Sequence, residues 1–410
     1  MAQAEITTMK VDLFDKTDSK YYARANELRD MGLFPYFKAL RAQNGNEVTV
    51  DGKRMVMVCS NDYLGLSQDE RVQSAGLPAL REFGTSCTGS RFLNGTLGIH
   101  EAFERDLAEF LNRESALTFS TGFLGSLGVL AAVVGRCDIM YFDRENHASL
   151  YDGARLSYGQ LRKYRHGDMD HLESLLKRDA DRAAGKLIVT DGVFSMSGEI
   201  ANLPGIVTLA RRYGARVLVD DAHSTGVLGP NGRGTPDHFG LEDEVDLIIG
   251  TFSKAFASVG GFVGGNAKIV DYIKCLARPF VFTAALPPAQ VATTHKALEI
   301  LASEPEHRER LWKRVMMFRK GLRGLGFNTL GSEGPIVPVS IGDADLAMVM
   351  WKDVWDAGIF ALPALPPAVP EGEALIRMAV NASHKREEIE TVLSAFADAG
   401  RRHGVISTAA

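Results

Sequence analysis

Cysteine is scarce in this sequence. The 410-residue chain has four cysteines, none in a Cys-x-x-Cys pair and none at ligand spacing from a histidine. We therefore expect no disulfide framework, no structural zinc and no other metal centre. A reducing, cytoplasmic compartment fits this use of cysteine.

An excess of positive charge is also lacking. Lys and Arg number 46 against 51 Asp and Glu, for a net charge of −5. This balance gives no basic field for nucleic acid, so we expect no nucleic-acid partner. Residues 1–5 lack the basic and apolar regions of a secretory signal peptide, and none is expected.

Long hydrophobic runs are nearly absent. Residues 115–135 carry no charge and have about the length of a membrane span. The stretch is rich in Gly, Ser and Thr, which favours a strand at 116–119, a turn, and a buried helix through 127–132. We expect no transmembrane span, and contact with a membrane surface stays open.

Alternating apolar and amphipathic segments fill the chain from about residue 68 to 285. Stretches with helical periodicity, such as 172–176 and 206–213, separate short apolar runs. The predicted strands are 116–119, 138–142, 187–190, 216–219, 245–249 and 261–264. This alternation predicts an α/β fold with a mostly parallel sheet covered by helices on both faces.

The chain is long enough for a large core and more than one domain. Residues 1–45 read as an N-terminal helical arm, and 46–285 as a large domain that opens with a hairpin of strands 47–50 and 55–58. Residues 286–410 read as a smaller C-terminal α+β domain.

The smaller domain is predicted to have a simple order of elements. One long amphipathic helix runs from about residue 288 past Glu304 towards residue 325. Strands follow near 336–339 and 375–378, and a helix from 385 to about 403 ends the chain.

One lysine directly follows a predicted buried strand. Lys254 ends Gly-Thr-Phe-Ser-Lys (250–254), after the apolar run 245–249, with hydroxyls at Thr251 and Ser253. A lysine delivered this way suits a Schiff base beside a phosphate. An isolated lysine is more often a surface charge, but the hydroxyls and the residues upstream favour the functional interpretation.

An acid and a histidine end the preceding strand. Val-Asp-Asp-Ala-His (219–223) places Asp220 and His223 at a carboxyl end. The chain between Asp220 and Lys254 leaves room for one crossover to a neighbouring strand. An Asp for the pyridine nitrogen and a Lys for the imine are the parts that hold pyridoxal 5'-phosphate (PLP). The alternative interpretation is an ion pair at a strand end.

Polar groups follow three further strands. Ser-Thr-Gly-Phe (120–123) opens a helix whose N–H groups and hydroxyls suit a phosphate. Asn-His-Ala-Ser (146–149) places His147 where an imidazole can stack on a pyridine ring, although a lone histidine is more often structural. Asp191 begins a third segment, 191–198, with more hydroxyls. Open α/β sheets bind ligands at the carboxyl ends of their strands, so we expect these groups to converge.

These motifs resemble those of the α-oxoamine synthase family of fold-type I PLP enzymes. The resemblance runs from about residue 30 to the C-terminus. It rests on the segments 120–123, 146–149, 219–229, 250–254 and 282–288, in this order. The family condenses an amino acid with an acyl thioester and releases CO2. The resemblance implies a fold-type I PLP-dependent transferase, PLP as the cofactor, and a homodimer.

The resemblance also implies a role for each matching residue. Lys254 is implied to form the imine with PLP and later to move the Cα proton. Asp220 keeps the pyridine nitrogen protonated, and His147 stacks on the ring. His223 and Ser195 flank the ring hydroxyl.

The phosphate and the substrate carboxylate have implied partners too. The residues implied around the phosphate are Thr121, Gly122, Phe123, Thr251 and Ser253, with Thr283 supplied by the partner subunit. Arg377, a planar fork, is implied to bind the substrate carboxylate with help from Asn61. Taken alone, an arginine such as Arg377 is more often a surface charge on a strand.

Within the family, the closest resemblance is to members that join L-serine to a long-chain acyl thioester. Segments 90–96, 251–254, 278–283 and 366–370 favour them, whereas 60–65 looks as much like 5-aminolevulinate synthase. The expected reaction takes palmitoyl-CoA, or a thioester on acyl carrier protein, and yields 3-ketodihydrosphingosine, CO2 and the free thiol.

Other readings stay open at this stage. One is a glycine-using member, 5-aminolevulinate synthase or 2-amino-3-ketobutyrate CoA ligase. Another is a PLP aminotransferase or racemase. A scaffold protein that had lost its cofactor would lack Lys254 or Asp220, and both are present. The apolar, proline-rich segment 359–370 is either a buried connection or the entrance for a fatty acyl chain.

Overall fold

The computed structural model describes residues 12–14, 16 and 19–407. The strands, in chain order, are β1 (Ala42–Asn44), β2 (Glu47–Val50), β3 (Lys53–Met57), β4 (Ser115–Phe119), β5 (Ile139–Asp143), β6 (Gln160–Tyr164), β7 (Lys186–Asp191), β8 (Arg216–Asp220), β9 (Leu247–Thr251), β10 (Gly261–Gly265), β11 (Val339–Gly342), β12 (Ile359–Phe360), β13 (Leu362–Ala364) and β14 (Ala374–Arg377). The helices are α1 (Lys20–Asp30), α2 (Glu70–Phe83), α3 (Gly98–Phe110), α4 (Gly122–Val133), α5 (Ala148–Leu156), α6 (Met169–Arg178), α7 (Leu203–Tyr213), α8 (Thr235–Phe239), α9 (Ala267–Leu276), α10 (Arg278–Val281), α11 (Pro288–Ser303), α12 (Glu306–Gly324), α13 (Ala344–Asp356) and α14 (Arg386–Arg402). The predicted arm includes α1, while residues 1–11, 15, 17 and 18 lie outside the described part.

The central sheet confirms the predicted α/β architecture. Among the described residues it has seven strands, in the order β4-β10-β9-β8-β7-β5-β6. Strands β9, β8, β7, β5 and β6 are parallel, whereas β10 runs antiparallel to both of its neighbours, β9 and β4. The carboxyl ends of β5, β7, β8 and β9 therefore lie along one edge of the sheet.

Burial on both faces explains why the central strands read as apolar runs. All five residues of β5 are buried, and so are the four residues of β8 that follow Arg216. Helices cover both faces. Helix α4 packs closely on its neighbours: a Cβ added at Gly128 would lie only 3.2 to 3.4 Å from Phe119, Ala277 and Pro279. The uncharged stretch is thus a core strand and helix. Within the described residues, no helix is long and apolar enough to cross a membrane.

Two smaller sheets flank the central one. The predicted hairpin is present as β2 and β3, and β12 joins β3 in parallel in a sheet of order β1-β2-β3-β12. The other sheet has the order β11-β14-β13. The division of the chain at residues 45 and 285 stays a prediction.

Prolines account for two differences from the sequence analysis. The single helix predicted from 288 to 325 is wrong, because α11 ends at Ser303 and α12 begins at Glu306. Pro305 lacks an N–H and disfavours a helical conformation at Glu304, so the helix breaks there. The strand expected near 336–339 begins only at Val339, directly after Pro338, which cannot donate to a strand ladder.

One strand of the central sheet was not predicted. β6 (Gln-Leu-Arg-Lys-Tyr) lies at the edge and pairs only with β5. Only Tyr164 in it is buried. An edge strand with polar side chains lacks the apolar run by which its neighbours were recognised.

Candidate active site

A cavity of about 320 Å³ lies at the carboxyl edge of the central sheet. Residues that follow five strands, β4, β5, β7, β8 and β9, line it. The predicted residues on its walls are Thr121, Gly122, Phe123, His147, Asp220, His223, Thr251, Ser253 and Lys254. The structure therefore brings together nine of the residues singled out from the sequence.

Lys254 and Asp220 line the same cavity, and each shifts the pKa of the other. Burial lowers the pKa of Lys254 to about 8; the positive charge of Arg377 adds to this shift, and Asp220 opposes it. Burial raises the pKa of Asp220, while Lys254 and His147 act in the other direction. A lysine with a pKa near 8 is partly neutral at physiological pH, as a nucleophile or a proton acceptor must be.

His147 lies at the mouth of the cavity and is held by the end of β7. Its backbone N–H donates to Asp191 Oδ1 at 3.1 Å, and its Nδ1 contacts Ser149 Oγ at 2.8 Å. Desolvation lowers the pKa of His147, and Lys254 adds to this, while Asp220 opposes it. Asn146 fixes the same turn, because its amide donates to the Val189 carbonyl and accepts from the Asp191 N–H.

The N-terminus of α4 opens into the same cavity. Thr121 caps it, with Oγ1 accepting from Leu124 N–H at 3.1 Å. A Cβ at Gly122 would lie 2.8 Å from the Thr251 Cβ, and one at Gly261 would lie 2.4 Å from the Gly122 Cα. The backbone is therefore packed so tightly against β9 and β10 that only glycine fits at both positions.

These groups fit PLP. Exposed N–H groups at a helix N-terminus and the hydroxyls of Thr251 and Ser253, which lie 2.8 Å apart, suit a phosphate. A buried carboxylate suits a pyridine nitrogen, and a lysine of lowered pKa suits an imine. The carboxylate, Asp220, and the lysine, Lys254, both line this one cavity.

A chain of hydrogen bonds extends from the cavity to the remaining predicted residues. His223 Nδ1 lies 2.6 Å from the hydroxyl of Tyr63, which is 3.3 Å from Asn61 Oδ1. Arg377 donates to that oxygen through Nη2 at 3.0 Å and to the Ser195 carbonyl through Nε at 2.6 Å. Asn61, Arg377 and Ser195 thus form a second group beside the cavity rather than on its walls.

Thr283 lies apart from this constellation. It follows α10 and is half-buried, two residues beyond the end of that helix. Its neighbour Ala284 accepts a hydrogen bond from the Ser120 hydroxyl, which ties this segment to the turn before α4. The implied contribution of Thr283 from a partner subunit stays a prediction.

Two residues of the site were missed in the sequence. Asp191 lines the cavity, and burial together with Asp220 raises its pKa well above the usual range. Its signal was available, because Asp191 ends a buried strand just as Asp220 does. Tyr63 had no such signal: it contacts His223 only through the fold, 160 positions away in the chain.

Comparisons with known proteins agree on the family. Residues 53–396 match the family described as aminotransferase class I and II. A serine palmitoyltransferase of Bacteriovorax stolpii is 48% identical over 383 residues, which are 93% of this chain and 91% of that one. An 8-amino-7-oxononanoate synthase of Thermoanaerobacter pseudethanolicus is 41% identical over 383 residues, or 93% and 97% of the two chains.

Solved structures show the same relationship. A serine palmitoyltransferase of Sphingomonas wittichii superposes with a TM-score of 0.93 at 37% identity, covering 97% of this chain and 100% of that one. A structure described as SPT with the PLP internal aldimine gives the same TM-score and coverage at 38% identity.

Proposed function

The chain belongs to the α-oxoamine synthases within the aminotransferase class I and II family, and we propose a reaction from this premise. We propose that it condenses L-serine with a long-chain acyl thioester. It is a PLP-dependent acyltransferase. The observation that carries the serine proposal is the 48% identity to serine palmitoyltransferases over nine-tenths of the chain. The product would be a long-chain amine with a ketone at C3, and CO2 and the free thiol would be released.

We propose that the cavity residues hold PLP in the manner their chemistry allows. Lys254 Nζ would hold it covalently, with the Asp220 carboxylate at the pyridine nitrogen and His147 at the ring face. The residues proposed around the phosphate are Thr121, Gly122, Phe123, Thr251 and Ser253, with Thr283 from a second copy. When bound, PLP supplies an electron sink for the charge left on the substrate carbon.

The chain's own groups would manage protons and orientation. Lys254, with its pKa lowered to about 8, is suited to take the proton from the serine Cα and to return one later. Arg377 already points its guanidinium at Asn61 Oδ1 and the Ser195 carbonyl, so its fork is pre-oriented by two contacts. We propose that it binds the serine carboxylate from this position.

A second cavity, of about 660 Å³, supports a long-chain acyl donor. It lies beside Ser195, and the proline-rich segment 366–370 forms one wall with Met196 and Leu375. Val369 is buried against Met196, whereas Ala368 is exposed on the wall. Leu362 and Leu365 pack on apolar clusters, which favours a buried connection for that part of the segment. Residues 366–370 line the cavity, which supports the proposed entrance for an acyl chain.

We also propose that the chain acts as a homodimer. Two segments next to the cavity, around Ser90 and Ala284, carry exposed apolar side chains: Phe92 is 60% exposed, Leu93 77% and Phe282 73%. A bridge between Ser90 and Ala284 holds the two segments together. Such a patch favours a protein partner over solvent, and a second copy would bring Thr283 to the site.

The second candidate function uses alanine or glycine in place of serine. Its support is the 8-amino-7-oxononanoate synthases, which are 41% to 47% identical to this chain. Adding each amino acid to the PLP-loaded protein and following the cofactor absorbance separates the candidates. Serine should bind most tightly. Tighter binding of alanine or glycine would replace the serine proposal.

The acyl donor is tested by chain length. We expect kcat/KM to rise from C8 to C16 acyl-CoA, since each buried CH2 contributes up to about 0.8 kcal/mol. Ala368→Asp puts a charge on the apolar part of the cavity wall, beside Val369 and Leu375, and should flatten this rise without changing serine binding. Ala183→Asp, in an exposed turn, is the matched control and should keep the rise. Acetyl- or succinyl-CoA as the best donor would contradict the long-chain proposal.

A further inference from the structure

One buried tyrosine joins the two groups of site residues. Tyr63 is 0% exposed, and its hydroxyl lies 2.6 Å from His223 Nδ1 on the cavity wall. The same hydroxyl lies 3.3 Å from Asn61 Oδ1, which accepts from Arg377. No role in the reaction has been given to it above, although both of its neighbours have one.

Both partners of the short contact are uncharged at physiological pH. Burial raises the pKa of Tyr63 to about 12, with Arg377 opposing the shift. Burial, Lys254 and Arg377 together lower the pKa of His223 far below its usual range. A neutral imidazole carries one proton, on either Nδ1 or Nε2, and the other nitrogen is an acceptor.

The hydroxyl of Tyr63 has two neighbours to which it can donate its proton. Tyr63 has one proton and two possible acceptors, and the 2.6 Å contact to His223 is much shorter than the 3.3 Å contact to Asn61. Asn61 Oδ1 already accepts from the charged donor Arg377. With the hydroxyl proton on the shorter contact, Nδ1 is the acceptor and the proton of His223 resides on Nε2.

We propose that Tyr63 is a positioning residue that fixes His223 in the Nε2–H tautomer, so that His223 presents a hydrogen-bond donor to the ring oxygen of PLP. The proposal rests on the proposed cofactor site and does not depend on which amino acid or acyl donor is used. Tyr63 also lies 3.3 Å from Asn61 Oδ1 and interacts with Arg377, so it contacts the second group of site residues as well.

This hydrogen bond would change how tightly the nitrogen of Lys254 holds its proton. The ring oxygen of PLP neighbours the lysine linkage, and a donor on that oxygen withdraws negative charge from it. Without the donor, the oxygen holds the proton at Lys254 Nζ more tightly. Tyr63→Phe keeps the ring and its packing but removes the hydroxyl, which frees His223 to take either tautomer.

The experiment is a pH titration of the visible absorbance of PLP-loaded protein, without substrates. We expect Tyr63→Phe to raise the midpoint pH of this titration by about one unit, which means that Lys254 Nζ holds its proton about tenfold more tightly. Serine affinity is measured separately, because Tyr63 also interacts with Arg377 and a fall in affinity would report on that contact alone.

Tyr141→Phe is the matched control. Tyr141 is also fully buried, and its hydroxyl donates to Asp179 Oδ2 at 3.3 Å on a different part of the sheet. It should leave the midpoint unchanged even where it lowers the thermal stability. Equal shifts in both variants, or a midpoint for Tyr63→Phe within about 0.2 pH units of the wild type, would overturn the proposal.

A double variant separates action through His223 from general loosening. In a His223→Gln background, adding Tyr63→Phe should cause no further shift, because the imidazole through which Tyr63 acts is gone. A full additional shift would also overturn the proposal. A wild-type protein that titrates as expected but ignores serine would instead overturn the proposed function alone.

Discussion

The two edges of the central sheet carry cavities of opposite character. The one at the carboxyl edge is the smaller, at about 320 Å³, and encloses Lys254, Asp220 and Asp191, whose pKa values are displaced by burial. The one at the amino edge has about 780 Å³. Volume alone would select the wrong edge.

The amino edge carries an exposed ion pair and an arginine, Arg113, whose Nε and Nη2 are buried. Arg216 contacts Asp246 at 2.7 Å with its side chain 79% exposed. Burial lowers the pKa of Arg113 there, yet an arginine stays charged in any working range. Arg113 therefore gives the larger cavity a fixed positive charge rather than a group that exchanges protons.

A single helix links the two edges and explains part of the difference. Gly122, the first residue of α4, lines the small cavity, and Val133, the last, lines the large one. The helix therefore presents free N–H groups and a partial positive charge to one cavity, and carbonyl groups to the other. An anionic cofactor is favoured at the first edge only.

The largest effect is expected at Lys254. Lys254→Ala removes the group proposed to hold PLP and to move the Cα proton, so turnover should fall by roughly a thousandfold or more. Borohydride should fix PLP to a peptide containing Lys254 in the wild type only. Lys186→Ala, at the amino edge, is the control and should retain turnover. An active Lys254→Ala variant would remove the distinction between the edges.

Asp220 tests the electronic part of the site. Asp220→Asn keeps the shape but removes the charge that would stabilise a protonated pyridine nitrogen. We expect PLP to remain bound while exchange of the serine Cα hydrogen for deuterium slows by roughly a hundredfold. Asp243→Asn, an exposed acid lining the amino-edge cavity, should exchange at the wild-type rate. Unchanged exchange in Asp220→Asn would rule out this role.

Arg377 tests substrate binding. Arg377→Ala should raise the serine dissociation constant by about ten- to a hundredfold, because a charge-assisted bidentate contact contributes about 1.5–3 kcal/mol. Titrating the cofactor absorbance with serine measures this. Arg377→Lys keeps the charge without the fork and should fall between the two. Serine binding at wild-type strength in Arg377→Ala would exclude the proposed contact.

The smallest effect is expected at the amino edge. Arg216→Ala breaks an exposed ion pair, so the free energy of unfolding should change by less than about 1 kcal/mol. Serine affinity and turnover should match the wild type. A loss of either would mean that this edge takes part in the reaction, and the comparison would fail.

The strands of the core were predictable because burial on both faces leaves an apolar run in the sequence. β5, β7, β8, β9 and β10 all lie within a few residues of their predicted positions. Strand β6 was missed because an edge strand needs no such run. The break at Pro305 was overlooked although the proline is visible in the sequence, because the amphipathic pattern continues on both sides.

The candidate site was predictable where residues sit at strand ends. The convergence of Lys254, Asp220 and His147 could be predicted because parallel strands bring their carboxyl ends to one edge. Tyr63 could not, since its partner His223 is defined by packing between distant segments. The Ser60 to Gly65 motif drew attention only to Asn61, and nothing in its pattern predicts which way the tyrosine hydroxyl points.

The antiparallel strand β10 has a consequence for synthesis of the chain. It lies between β9 and β4, and among the described strands it is the one that pairs with β4, so this pairing waits until residues 261–265 have left the ribosome. Until then an apolar strand is exposed at an unpaired edge, which is a template for aggregation. Chains cut short before Gly261 should therefore aggregate, and this late pairing makes the fold depend on one of the last strands of its central sheet to be translated.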